Sequence, residues 1–190
     1  MDAAHGGVPF RAGPGRLAPP PGPAVLLDGW RYEIDQTQAE TANQAQGWQL
    51  DCGPACVSAW MCWEGEPAAR PYQPPDWWRD NWWGYAYRGP TYAADLAACL
   101  SAQGVACRLI VGPAGPSVDV VGEVLAALER GRPAIVLLHW LPTLGHFVVL
   151  TGYDPTAQVL TYHQVWGGYR SQMSVDDLRV RHDGYAVVGL

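Results

Sequence analysis

The segment "QGWQLDCGPACVSAW" (residues 46–60) places two cysteines four positions apart, where a polar loop passes into an apolar stretch. Pro54 suits the first turn of a helix, where its missing N–H group is no loss. The larger apolar side chains that follow recur at helical spacing: Val57, Trp60 and Met61. We therefore predict a helix that begins near Gly53 and ends by Gly65, with Cys52 at its N-terminus.

Three kinds of chemistry are open to the two cysteines. A redox pair usually has two intervening residues, and this pair has three. A zinc site needs further ligands at compatible spacing, but the remaining candidates are scattered: Cys62, Cys99, Cys107 and His163. A nucleophile at a helix start is favoured, because the macrodipole and free N–H groups stabilise a thiolate there. Cys52 fits that position, whereas Cys56 lies one turn inside and suits a small core residue.

A thiolate nucleophile also needs a base and an oxyanion donor. Gln46 lies six residues before Cys52 and can supply a side-chain amide for the oxyanion. His146 begins the predicted strand "GHFVVLTGYD" and is the candidate base. The group that orients its imidazole should come from the next strand, "QVLTYHQVW", where Gln164 and His163 compete from opposite faces.

These motifs resemble those of papain-like cysteine peptidases. The similar segments are Gln-x4-Asp-Cys-Gly-Pro-Ala, "ERGRPAIVLLHW" and "GHFVVLTGYD", in order and over residues 30 to 190. The resemblance is greatest to the peptidases that cut bacteriocin leaders after a double glycine, and to their stand-alone relatives. It implies a papain-like α+β fold, with Cys52 as nucleophile, His146 as base and Gln46 as oxyanion donor.

One position departs from that family. The family usually carries an aspartate in an Asp-Pro-Trp-Gly-like turn, and this chain has "HQVWGG", with Gln164 in place of the carboxylate. An amide oxygen can still accept a hydrogen bond from the imidazole, which we expect at Nδ1 of His146. A neutral partner stabilises imidazolium less than a carboxylate does. We therefore expect weaker activity or a different reaction, rather than an inactive site.

Ten tryptophans are an unusual number for 190 residues. Four of them lie in the segment 72–90, with tyrosines beside them: Trp77, Trp78, Trp82 and Trp83. They form either an insertion that packs on itself or an aromatic wall that binds substrate beside the cleft. Trp166 follows the strand of Gln164, and in papain-like enzymes a tryptophan there often shields the site from water.

The order of predicted elements favours one α+β domain. Helices come first and mostly antiparallel strands follow. Residues 1–24 are rich in Gly, Pro and Ala and predict a disordered arm. Residues 25–190 form the domain, with 72–90 as an aromatic insertion. Thr91 and Ser117 are predicted to cap the two middle helices.

Composition narrows the function classes. The net charge of −6 and the lack of lysine or of a basic run argue against a nucleic-acid partner. No apolar run approaches the roughly 20 residues of a membrane helix, and the N-terminus lacks the apolar core of a secretory signal. Five cysteines without such a signal favour a reducing, cytoplasmic location. We expect no metal and no cofactor.

The sequence thus predicts a cysteine peptidase or amidase that acts on a peptide or another acyl donor. Two alternatives stay open: an acyltransferase that uses the same residues with an amine acceptor, and a non-catalytic domain that binds a peptide or partner. The retention of both Cys52 and His146 argues against the last.

Overall fold

The computed structural model describes residues 22–34, 52–65, 91–112, 119–141 and 144–190. Most of the predicted N-terminal arm and the whole aromatic segment 72–90 lie outside these ranges. The same is true of Gln46 and of Ser117, the predicted cap of a middle helix.

The described residues form a mixed α+β fold. Four helices lie within them: α1 (Cys52–Trp63), α2 (Ala93–Ala102), α3 (Val120–Glu129) and α4 (Val175–Arg181). Seven strands accompany them: β1 (Val25–Leu26), β2 (Cys107–Val111), β3 (Ala134–Leu141), β4 (Leu144–Asp154), β5 (Val159–Gln164), β6 (Tyr169–Ser174) and β7 (His182–Gly189).

The strands form one antiparallel sheet in the order β2-β7-β3-β4-β5-β6, and β1 pairs with β4. The longest strand, β4, lies between β3 and β5, and because helices cover both faces of the sheet its residues 146–153 are buried. The hairpin β4–β5 turns at Asp154, whose Oδ1 accepts from the backbone N–H groups of Thr156 and Ala157. This turn fixes the register of β4 against β5, with Val149 opposite His163.

Each face of the sheet carries its own apolar cluster. Helices α1 and α2 pack on one face with Phe147, Val149 and Val165. Helices α3 and α4 pack on the other with Val148 and Leu150. Because successive residues of β4 point to opposite faces, a single strand contributes to both clusters. We call them the first and the second cluster.

Three local features differ from what the sequence predicts. The apolar run "AVLL" predicts an edge strand, and β1 is such a strand but is only two residues long, after which the chain continues as turns through residue 34. Thr91 does not cap α2, because Tyr92 is the N-cap residue and makes no side-chain cap bond. Strand β6 was not expected, since its sequence YRSQMS is polar and mostly exposed, as an edge strand can be.

Membrane insertion by a helix finds no support in the part of the chain that is described. None of the helices there has both the length and the apolar composition needed to cross a bilayer.

Candidate active site

Helix α1 begins at Cys52, the residue predicted to stand at the helix start. From Gly53 to Met61 every residue of α1 is buried, so the helix is enclosed rather than amphipathic. Cys52 itself is half-buried and packs against the first cluster. Its position leaves the first backbone N–H groups of α1 without partners inside the helix.

Close packing holds the start of α1 against the start of α2. A Cβ atom added to Gly53 would lie 2.1 Å from Thr91 Oγ1 and 2.9 Å from Thr91 Cβ. Only a residue without a side chain permits this approach. The residue after Cys52 is therefore fixed by a contact with α2 that the sequence pattern did not reveal.

His146 and Gln164 meet at the end of β5. Gln164 Oε1 lies 2.5 Å from His146 Nε2, and both side chains are buried. The backbone N–H of Trp166 donates to the same Oε1 at 3.3 Å. Because a backbone N–H needs an acceptor, this atom is the amide oxygen, and Nε2 must carry the proton that it donates to Gln164.

The nitrogen involved differs from the expectation. The resemblance to papain-like enzymes predicts the Gln164 bond at Nδ1 of His146, and the structure has it at Nε2. In the neutral ring the unprotonated nitrogen is then Nδ1. Gln164 thus fixes the tautomer that presents Nδ1 as a proton acceptor.

Burial lowers the pKa of His146 below its ordinary value, and the hydrogen bond to Gln164 partly offsets this by raising it. The ring of Trp166 packs edge-on against the imidazole, with ring centroids 6.3 Å apart. Trp166 is itself 40% exposed and His146 is buried. Burial therefore favours the neutral imidazole, Gln164 orients it, and Trp166 packs against its ring.

His163 belongs to a different network. Trp30 Nε1–H donates to its Nδ1 at 3.2 Å, and its Nε2 donates to the Ile34 carbonyl at 2.8 Å. Both ring nitrogens are therefore engaged, and the side chain is completely buried. These two hydrogen bonds hold residues 30–34 against the face that carries the first cluster. Of the two candidates for orienting His146, Gln164 is the one with a hydrogen bond to it.

The strand pattern sets how Cys52 and His146 are placed. His146 and Gln164 alternate with Phe147 and Val165, which belong to the first cluster, against which Cys52 also packs. The imidazole lies next to Gln164, the last residue of β5. Cys52 and His146 thus both adjoin the first cluster, Cys52 by packing against it and His146 through Phe147, the next residue in sequence.

Cys56 and Cys99 are buried, whereas Cys62 and Cys107 are half-buried like Cys52. Cys56 is completely buried, and burial together with nearby Cys52 raises its pKa well above the ordinary value. Burial also raises the pKa of Cys99 to about 12 and raises that of Cys107. None of the five cysteines forms a disulfide, and among the described residues no group of three or more His, Cys, Asp or Glu could hold a metal ion.

Several predicted site residues fall outside the described ranges: Gln46, Trp77, Trp78, Trp82 and Trp83. His139 lies within β3, and its side chain is 52% exposed with Nε2 2.8 Å from Asp183 Oδ1. No local sequence pattern indicates this pair, because the two residues are 44 positions apart on strands β3 and β7.

Comparison with known proteins adds no assignment. No model of a known protein family matches this chain, and a search of curated proteins returns no match either.

Proposed function

We propose that this protein is a cysteine peptidase or amidase with a papain-like arrangement, in which Cys52 is the nucleophile and His146 the general base. The observation that carries the proposal is the bond of 2.5 Å from His146 Nε2 to Gln164 Oε1. Gln164 fixes the proton of the buried imidazole on Nε2, and Trp166 packs against the ring. The second nitrogen, Nδ1, is therefore available for proton transfer.

The start of α1 supplies the other half of the proposed site. A thiolate at a helix N-terminus is favoured by the macrodipole and the unpaired N–H groups. The Cys52 backbone N–H can also stabilise an oxyanion, and Gln46 is proposed as the second donor. We propose that the Cys52 thiol transfers its proton to Nδ1 of His146.

The reaction then runs in two halves. The Cys52 sulfur attacks the substrate carbonyl carbon, and the oxygen takes up negative charge. The C–N bond breaks, the proton on Nδ1 of His146 goes to the leaving amine, and a thioester remains on Cys52. In the second half, Nδ1 takes a proton from water as the water oxygen attacks the thioester, and the acid leaves as the thiol re-forms.

Acyl transfer is the second candidate, and the neutral orienting residue favours it. Gln164 supports imidazolium less than a carboxylate would, so the thiolate–imidazolium pair is less populated. A thioester donor needs less activation than an amide and releases a thiol. An amine in place of water in the second half gives an amide product. A weakly nucleophilic amine such as glycinamide, at millimolar concentration in water, should then give amide in preference to acid, whereas a hydrolase gives mainly acid.

Thiol mapping tests the nucleophile directly. Iodoacetamide near neutral pH should alkylate Cys52 before Cys56, as read from the modified peptides by mass spectrometry. Cys52→Ala should lower kcat for a peptide or thioester substrate by at least about 10³. The matched variant Cys56→Ala should keep most of the wild-type kcat, because this substitution changes only a buried thiol on the same helix.

The coupling of thiol and imidazole has its own readout. In His146→Ala the pH dependence of Cys52 alkylation should change, because the thiol loses its proton acceptor. An identical pH profile in both proteins would refute the pairing of Cys52 with His146. Fastest labelling at Cys56, with full activity in Cys52→Ala, would refute the choice of nucleophile. A domain that binds peptides without turnover would satisfy neither expectation.

A further inference from the structure

A cavity of about 300 Å³ lies on the sheet face that carries α1 and α2. Its floor is apolar and is formed by Leu109, Leu137 and Phe147. The first turn of α2, residues 91–94, forms one wall. A cavity of this size is at the lower end of the range for small-molecule sites. It matches one large side chain with its adjoining backbone group better than an extended peptide.

The lining of the cavity adjoins the candidate active site in two ways. Phe147, in the lining, directly follows His146 in sequence. Thr91, also in the lining, packs against Gly53, and Gly53 directly follows Cys52. The cavity is therefore lined by the residue next to His146 and by the packing partner of the residue next to Cys52.

The charge at the cavity favours a cation. Among the described residues that line it, Asp183 is the one with a charged side chain, and this side chain is 40% exposed. One oxygen accepts from His139 Nε2 at 2.8 Å, but a carboxylate has about four acceptor positions. Tyr92 and Tyr185 also line the cavity and are 62% and 42% exposed, and the faces of such rings attract cations.

We propose that this cavity binds an aromatic or branched aliphatic side chain of the substrate together with an adjoining ammonium or guanidinium group, and that Asp183 selects for the positive charge. The use of the cavity by a substrate rests on the proposed function. The binding itself does not, because it needs only the apolar floor, the tyrosines and the carboxylate.

A titration separates binding at the cavity from the use of the cavity by a substrate. The Cys52→Ala chain, which cannot turn over, is titrated with phenylalaninamide, its N-acetyl form and glycinamide, while backbone amide NMR signals are followed. Phenylalaninamide should move the signals of Phe147 and Ala93 with a Kd of the order of 1 mM, as its size allows. The N-acetyl form, which has no charge, should bind about threefold to fivefold more weakly. Glycinamide should produce no saturable shift.

Matched variants assign the effects. Asp183→Asn should weaken phenylalaninamide to the level of its N-acetyl form, whereas Asp176→Asn, an exposed acid on α4, should change nothing. Ala94→Phe should fill the cavity and abolish the binding of phenylalaninamide and of its N-acetyl form. Ala98→Phe, exposed one turn further along α2, should not. Should Ala94→Phe fail to fold, the Asp183→Asn comparison still decides.

Equal affinity for phenylalaninamide and its N-acetyl form would overturn the role of Asp183. Equal shifts with glycinamide, or shifts that leave Phe147 and Ala93 unmoved, would overturn the cavity as a binding site. Failure of Cys52 alkylation, in contrast, would overturn the proposed function and leave this titration unaffected.

Discussion

At the scale of single residues, Gln164 determines what His146 can do. Its amide oxygen accepts from two groups, His146 Nε2–H and the backbone N–H of Trp166. A neutral acceptor fixes the tautomer without adding a charge. The pKa of His146 is therefore governed mainly by burial, which lowers it, and only secondarily by this bond, which raises it.

Gln164→Glu should raise the pKa of His146, because a carboxylate at the same place favours imidazolium. The measurement is the titration of the His146 ring signals by NMR. Gln172→Glu, an exposed substitution of the same kind on β6, should leave the titration unchanged. An unchanged or lowered pKa in Gln164→Glu would show that the side chain has rotated away from the imidazole.

Gln164→Leu should cost about 1–3 kcal/mol of the free energy of unfolding, because it leaves the buried His146 Nε2–H without an acceptor. The same substitution should lower the pKa of His146, since the bond that raises it is lost. Chemical denaturation gives the first quantity and NMR titration the second. A variant as stable as the wild type would mean that water replaces the amide oxygen.

At the scale of elements, α1 is placed by its packing against α2 rather than by its own sequence. Gly→Ala inside a helix normally stabilises it by up to about 1 kcal/mol. Gly53→Ala should instead destabilise the protein by about 1–3 kcal/mol, because the new Cβ meets Thr91 at 2.1 Å. Denaturant midpoints measure this.

Gly122→Ala in α3 is the matched control. There the nearest atom is Asp119 Oδ2 at 2.5 Å, the end of a flexible exposed side chain that can move aside. This variant should be as stable as the wild type or more so. Equal effects at both positions would mean that helix propensity, and not the contact of Gly53 with Thr91, sets the stability at the start of α1.

The contrast between these elements explains how far the sequence predicts the fold. Helix α1 and strands β3 to β5 follow from Pro54, Gly65 and runs of apolar residues, which are local signals. The two-residue β1 and the polar β6 exist because β4 and β5 offer them edges, which is a tertiary effect. Thr91 looked like a helix cap, but a contact with Gly53, 38 positions away, decides its role.

The candidate site divides in the same way. The residue types and their order point to Cys52, His146 and Gln164. Which ring nitrogen meets Gln164 depends on how the imidazole is turned, and no sequence pattern records that rotation. The choice of Gln164 over His163 depends on residues 30–34, whose Trp30 and Ile34 occupy both nitrogens of His163.

At the scale of the whole molecule, the sheet separates two apolar clusters, and the candidate site lies where β5 ends. His146 is nearly fully buried there, and burial favours its neutral form over the charged form in the folded state. The unfolded chain lacks this burial, and its histidine titrates near the ordinary value of about 6.5. Folding and proton binding at this residue are therefore linked.

The final prediction concerns stability against pH. Because the pKa of His146 is lower in the folded state, the unfolded chain binds more protons between that lowered value and about 6.5. The free energy of unfolding should fall as the pH drops through this window, by at most about 1.4 kcal/mol per pH unit from one group. Above about pH 6.5 the neutral His146 makes its full contribution to the free energy of unfolding.

His146→Gln isolates this term, since the other titrating groups are common to both proteins and cancel in the difference. Denaturant unfolding at several pH values should show the wild type losing stability relative to the variant as the pH falls below about 6.5. The m-values should agree, so that the difference reflects stability and not a change of unfolded state. Parallel curves would mean that water or a nearby acid already compensates the imidazolium, and that burial does not hold His146 neutral.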